Sequence, residues 1–392
     1  MHGIAIIGGG KIGSTIAQLL HRSGDYHVTV IDRAQAQIDQ LEGCDGVTAT
    51  VLDIADAQAL QSALTGKFAV LSAAPYHLTT RIAEAAKAAG AHYFDLTEDV
   101  ASTRVVKALA RDATTAFAPQ CGLAPGFITI VTNDLAKHFD TLHDVRMRVG
   151  ALPKYPSNAL SYNLTWSTDG VINEYCEPCE AIVDGVLRET PAMEELESFS
   201  LDGVTYEAFN TSGGLGTLCE TLQGRVRNLN YRTIRYPGHA AIMKTLLNDL
   251  GLRHRRDVLK DIFEQALPAT LQDVVLVFVT VAGLKGGRLM QETYAHKIYA
   301  RNVGGVTRTA IQVTTAAGIC ATLDLLADGL LPHAGFIRQE EIGLARFLDN
   351  RFGAIYADDD RVQDSVWSAG PVTGHLPLSH PPISSPKIKA IA

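Results

Sequence analysis

A chain of 392 residues, 46% hydrophobic and 19% charged, is long enough for two ordinary domains and apolar enough to pack them. Its net charge of −8 offers no basic footprint for nucleic acid or anionic lipid, and runs such as VVLVFVTVAGL at 274–284 fall short of a membrane span. The start MHGIAIIGGG enters a strand at once, so no signal peptide is expected. The six cysteines are scattered rather than framed as disulfides, which gives a cytoplasmic, reduced setting.

Residues 2–122 alternate short apolar runs, at 4–7, 27–31, 47–51, 68–73, 92–96 and 115–119, with helical patterns. That rhythm predicts a parallel sheet with helices on both faces. The first run opens IAIIGGGKIGSTIAQLL, where Gly8, Gly10 and Gly13 stand in G-x-G-x-x-G spacing between a strand and a helix. Gly8 permits the tight turn, Gly10 the close approach of a pyrophosphate, and Gly13 the helix–strand contact. Lys11 and Ile12 then begin a helix whose N-terminus faces the phosphates. The second strand ends at Asp32, 19 residues after Gly13. A carboxylate there accepts from ribose hydroxyls and repels a 2′-phosphate, so NAD is favoured over NADP, with Arg33 pulling the other way. Asp53 is expected at the adenine or at a helix start. After the fourth strand, Ala74 and Pro75 should pass the nicotinamide ribose. Tyr76 is a candidate contact to cofactor or substrate. His77 is able to move protons near neutrality, or else starts a surface helix.

The next strand ends in FDLTED, residues 94–99, which sets Asp95, Glu98 and Asp99 beside an anionic dinucleotide. Thr97 as an N-cap, with Glu98 and Asp99 in the first helical turn, accounts for part of the cluster. Asp95 stands at a strand's carboxyl end, where ligands of open α/β sheets lie. A cationic substrate resolves the conflict of charge. One carboxylate attracts an ammonium, and a base poised near working pH deprotonates it. Asp95 and Glu98 are therefore the candidate catalytic carboxylates.

From about 124 the texture changes. RMRVGAL, LSYNLTWS, VVLVFVTVAG and ETYAHKIYA read as longer strands, the last two joined by a hairpin turn in LKGGR. This region predicts an α+β domain with a mainly antiparallel sheet. Within it GRVRNLNYRTIRYPGH offers Arg225, Arg227, Arg232 and Arg235, then His239 at a helix start. Arg225, Arg235 and His239 are the candidates for a substrate carboxylate, with Thr211 and Ser212 in the same cleft or in a simple turn. Cys176 and Cys179 form a lone C-E-P-C pair with no matching second pair, so no metal is expected. TAIQVTTAAGICATLDLLADGLL and QEEIGLARFLDNRF return to helical patterns and should pack back on the first domain. The expected division is 1–123 plus about 312–356, then 124–311, with a Pro/Ser-rich tail at 357–392 too polar to order itself. The long second-domain strands carry more apolar surface than one helical layer covers, which predicts a homodimer or higher homo-oligomer.

Several long stretches resemble the saccharopine dehydrogenase superfamily: FAVLSAAPYHLTTRIAEAA, HYFDLTED, PQCGLAPGF, VGALPKYPSNALSYNLTWSTDGVINEYCEPCEAI and YRTIRYPGH. More narrowly they look like its lysine 6-dehydrogenase branch, and the likeness runs from residue 1 to about 355. Saccharopine-forming relatives usually carry an acidic residue where this chain has Ala124, and lack DLTED. The resemblance implies a Rossmann domain interrupted by an α+β substrate domain. It also implies NAD-dependent oxidation of the ε-amino carbon of L-lysine, hydrolysis of the imine to the semialdehyde with release of ammonia, and cyclisation to piperideine-6-carboxylate. Saccharopine dehydrogenase and a non-catalytic NAD-binding regulator are the alternatives.

Overall fold

The six short apolar runs all become strands in the computed structural model, which describes residues 1–41, 44 and 46–357. They are β1 (His2–Ile7), β2 (Tyr26–Asp32), β3 (Thr48–Val51), β4 (Ala69–Ser72), β5 (His92–Asp95) and β6 (Ala116–Ala118). Helices α1 (Lys11–Ser23), α2 (Gln35–Ile38), α3 (Ala57–Leu64), α4 (Thr79–Ala89) and α5 (Val100–Ala110) connect them. Ile4, Ile6, Val28, Val30 and Leu71 enter one core while Ala5, Ile7, Ile31, Val70 and Tyr93 enter another. Burial on both faces is why these strands read as unbroken apolar runs. In the sheet β1 lies between β2 and β4, so the strand order reverses at β1. A crevice opens at the carboxyl ends there.

The second region holds α6 (Phe127–Ala136), β7 (Thr141–Pro153), α7 (Thr168–Cys176), β8 (Cys179–Val183), β9 (Val186–Thr190), β10 (Glu197–Leu201), β11 (Val204–Asn210), α8 (Leu218–Leu222) and β12 (Val226–Arg235). It continues with α9 (His239–Lys244), α10 (Arg256–Ala266), β13 (Asp273–Lys285), β14 (Arg288–Tyr299), β15 (Arg301–Val303) and β16 (Val306–Arg308). The main sheet runs β10–β11–β12–β7–β13–β14, with β8 paired to β12 and β9 to β8. Within it β12 and β7 are parallel and the other pairings antiparallel. The expected β13–β14 hairpin turns at Gly286 and Gly287, with φ of 56° and 76°. Two positive φ values at the central positions match the twist of the flanking strands.

LSYNLTWS is not a strand. Its apolar side chains feed a loop pressed against helices: Tyr162, Leu160 and Leu164 pack with Ile172, Tyr175, Met243 and Phe263. Alternation there serves burial on a helical layer rather than a hydrogen-bonded ladder.

Helix α11 (Ala310–Ala327) is apolar all round because it is buried on nearly every side and packs along α1. A capping box between Thr309 and Gln312 starts it, and Asp273 of β13 accepts from the Ala310 and Ile311 amides at 2.5 and 3.0 Å. Strand β17 (Gly335–Phe336) then pairs in parallel with β6, so chain beyond the second sheet completes the first. QEEIGLARFLDNRF holds only the short α12 (Leu344–Asp349) between single turns, since Gly343 and Asn350 are extended. The tail, from residue 358, lies outside the described residues.

Candidate active site

The glycine loop leaves room where a phosphate needs it. A Cβ on Gly13 would sit 1.8 Å from the Gly8 carbonyl oxygen, so helix and strand touch through bare backbone. Gly8 has φ of 104° and lies against the backbone of Ala73. At Gly10, by contrast, a Cβ would meet nothing closer than Gln37 Oε1 at 4.0 Å. No side chain caps α1 and no acidic residue occupies its first turn, so its amides are free to meet an anion. Asp32 accepts from Gly9 N and Ala34 N, both at 2.8 Å, which fixes its carboxylate beside the loop. These residues fit a dinucleotide. Lys11 and Arg33 are exposed beside them, and Ile12 lines the adjoining cleft. Asp53 closes its own turn by accepting from Ala55 N at 2.9 Å.

A cleft of about 1220 Å³, including its open mouth, runs from the ends of β4 and β5 to the second sheet. Ala74, Pro75 and Tyr76 form one wall, and Leu123, Val149 and Trp166 give it an apolar lining. Its charged lining residues are Glu98, Asp169, Glu174 and Arg235. Asp169 is paired with Lys260 at 2.6 Å.

The structure separates the expected carboxylates. Asp95 is 1% exposed: Oδ1 accepts from Thr97 N and Gln120 N, and Oδ2 from the Tyr93 hydroxyl. It ties the ends of β5 and β6 together rather than lining the cleft. Burial nonetheless pushes its carboxyl up to about 6 against those hydrogen bonds. Helix α5 is capped by Asp99, which accepts from Ser102 N at 2.7 Å, so the expected N-cap moves from Thr97 to Asp99. Thr97 Oγ1 instead accepts from Asp99 N. Glu98 is thereby left outside the helix with its side chain at the cleft. Burial, with the charges of Asp99 and Asp95 adding to it, pushes Glu98 up to about 7. Tyr76 lines the cleft, its hydroxyl raised by burial and by Asp99, whereas His77 is exposed and outside it.

At the far end Arg235, 3% exposed, closes β12 and reaches the cleft. Its Nε donates to the Tyr175 hydroxyl at 2.8 Å, and its guanidinium carbon lies 5.0 Å from the Tyr162 ring centroid. His239 stands behind this pair. Its Nδ1 lies 2.9 Å from the Leu160 carbonyl, which can only accept, so Nδ1 carries the proton. Burial and Arg235 push His239 down to about 3, so Nε2 accepts from Tyr175 at 3.1 Å in a neutral ring. His239 positions Arg235 through Tyr175. Thr211 is likewise one layer back, bonded to cleft-lining Thr233 at 2.7 Å. Arg225 is not brought in. It is exposed just before β12, roughly 30 Å of extended strand from Arg235. Arg227 pairs with Asp184, and Arg232 with Glu195 and Glu197.

Glu174, on α7, goes unmarked in the sequence reading. It is 5% exposed, lines the cleft, and is held well above the ordinary carboxylate range by burial, with Glu98 adding and Arg235 opposing. Its one sequence signal is a carboxylate between apolar Ile172 and Tyr175, in a helix that buries that face.

Residues 4–124 match the saccharopine dehydrogenase NADP binding domain, and residues 122–350 the saccharopine dehydrogenase C-terminal domain. The mitochondrial alpha-aminoadipic semialdehyde synthase of Bos taurus is 23% identical over 345 residues, 84% of this chain and 36% of that protein. The enzyme of the same name from Mus musculus is 22% identical over 264 residues, 64% of this chain and 28% of that protein. The chain thus spans about a third of the length of these curated relatives. The apo saccharopine dehydrogenase (L-Glu forming) of Saccharomyces cerevisiae superposes with a TM-score of 0.72 at 16% identity, covering 87% of this chain and 94% of that one. That superposition shows the fold: a parallel Rossmann-type sheet with a second, mixed-sheet domain. With both domain descriptions matched end to end, this chain belongs to the saccharopine dehydrogenase family and carries its nucleotide-binding domain.

Proposed function

We propose that this chain is an NAD-dependent dehydrogenase that oxidises the ε-amine of L-lysine to the semialdehyde and releases ammonia. The charge of the cleft carries the reading: with Asp169 paired to Lys260, Glu98 and Glu174 line it with a single arginine, Arg235. Lysine brings two ammonium groups and one carboxylate, which matches that set. Saccharopine brings three carboxylates and would meet one lining cation. The relatives' names favour saccharopine, and the cleft's charges favour lysine.

When bound, the nicotinamide accepts hydride from the carbon bearing the amine. The chain's own part is to hold that amine and take its proton. Glu98, poised at about 7, binds the ε-ammonium and accepts its proton at the carboxylate. Trp166, Leu123 and Val149 thin the water around it, so the proton has few other acceptors. Arg235, pinned by Tyr175, holds the substrate carboxylate at the other end. Steady-state NAD reduction with lysine and with saccharopine tests the reading. Turnover of lysine alone is expected, and preference for saccharopine would overturn it.

NAD rather than NADP is supported by Asp32, although the matched domain is described as NADP binding. Asp32→Ser should raise the use of NADP relative to NAD on the order of tenfold or more. Equal use of both cofactors by the wild-type protein would remove the argument.

A further inference from the structure

Glu174 and Arg235 line the same cleft, are 5% and 3% exposed, and are an acid and a base, yet no hydrogen bond joins them. Arg235 gives Nε to Tyr175 and Nη1 to the Ile234 carbonyl, and among the described residues Nη2 has no protein acceptor. The Glu174 carboxylate takes no hydrogen bond among the described residues either. Buried ionic groups are ordinarily paired, because an uncompensated one strongly destabilises a fold. An acid and a base that share a cleft without pairing suit a ligand that satisfies both. An anion answers only Arg235 and a cation only Glu174. A zwitterion answers the two together.

We propose that Glu174 and Arg235 together read the head group of an α-amino acid, Glu174 taking the α-ammonium and Arg235 the α-carboxylate. The proposal rests on the lysine reading for the direction of the side chain, toward Glu98, and deepens it by naming what selects the other end. Helix α7 presents Gly170 and Glu174 one turn apart on one face. A Cβ on Gly170 would lie 3.2 Å from Glu98 Oε1, so Glu98 reaches over the first turn of α7 and Glu174 stands a turn further on. Glu174 feels the charges of both Glu98 and Arg235. An amino acid with its head at Arg235 and Glu174 thus runs its side chain to Glu98.

The arrangement makes binding expel a proton. Burial holds the Glu174 carboxyl well above the ordinary carboxylate range, so it favours the proton, and an arriving ammonium stabilises its ionised form. The nearby tyrosines 162, 175 and 231 have hydroxyls raised by burial and stay neutral, so they do not supply that proton. L-Norleucine isolates the head group, since it lacks the ε-amine that would engage Glu98. Hexanoate keeps only the carboxylate.

Calorimetric titration of the NAD-loaded protein with each ligand, in buffers of different ionisation enthalpy, tests the site. Norleucine should bind on the order of 100-fold more tightly than hexanoate and release a proton. Glu174→Gln should abolish both the preference and the proton release while leaving hexanoate unchanged, and Glu174→Asp should restore part of the preference. Equal affinity of the two ligands for the wild-type protein would overturn the proposal without recourse to any variant. So would a Glu174→Gln protein that weakens both ligands alike. Norleucine binding as described, together with no oxidation of lysine, would sink the lysine reading and leave the head-group site standing.

Discussion

Glu98 and Asp95 stand three residues apart, and their surroundings give them different work. Asp95 satisfies two backbone amides and a tyrosine hydroxyl inside the protein. Removing it in Asp95→Ala strands those donors, each costing about 1–3 kcal/mol, so thermal unfolding should show a loss of about 3 kcal/mol or more. A melting temperature within a degree or so of wild type would contradict that role. Glu98 instead lines the cleft. As a base it works when ionised, so kcat/KM for lysine should rise with pH through about 7. Glu98→Gln should remove that limb and lower kcat on the order of 100-fold, with NAD affinity unchanged. The linkage runs the other way for stability. A carboxylate raised on folding binds more protons folded than unfolded, so it destabilises the protein as pH climbs from its ordinary value toward about 7. Glu98→Gln should therefore melt with wild type near pH 5 and above it near pH 8, and a constant difference would count against the burial argument. DLTED announces a polar site in the sequence, but which carboxylate faces the cleft depends on where α5 begins, and Asp99 rather than Thr97 decides that.

At the scale of elements, helix α7 does most to shape the cleft. Ser167 caps it by accepting from Gly170 N at 3.1 Å, and a Cβ on Gly170 would strike Trp166 Cζ3 at 2.4 Å. Gly170→Ala should push Trp166 and Glu98 aside, lowering kcat/KM for lysine tenfold or more while NAD affinity holds. Unchanged kinetics would mean that α7 does not set the position of Glu98. Sequence periodicity makes the first-domain strands and the Gly286–Gly287 hairpin legible, because burial on both faces and two positive φ values leave clear residue preferences. It misreads LSYNLTWS, since alternating apolar residues fit a loop against helices as well as a strand. It places Arg235 and His239 near one another but cannot reveal that His239 is neutral and a layer behind. Arg225 looks equivalent to Arg235 in sequence, and only the length of β12 separates them.

For the whole molecule, the cleft exists because the two sheets are locked together by chain that returns. Asp273 of β13 caps α11, α11 packs on α1, and β17 pairs with β6. The carboxyl ends of β4 and β5 are thereby held opposite the end of β12, with Glu98 on one side and Arg235 on the other. Hydrophobic patterning shows that the last helices return, but the pairing of a two-residue strand carries no pattern of its own. On the proposed reading, a lysine laid across this cleft loses its ε-nitrogen and keeps its α-nitrogen. The decisive measurement is therefore incubation of the protein with NAD and lysine isotopically labelled at the ε-nitrogen, followed by nitrogen NMR of the released ammonium. Labelled ammonium formed in step with NADH is the expected result; unlabelled ammonium, or NADH formed with the label retained in the amino acid product, would contradict the account.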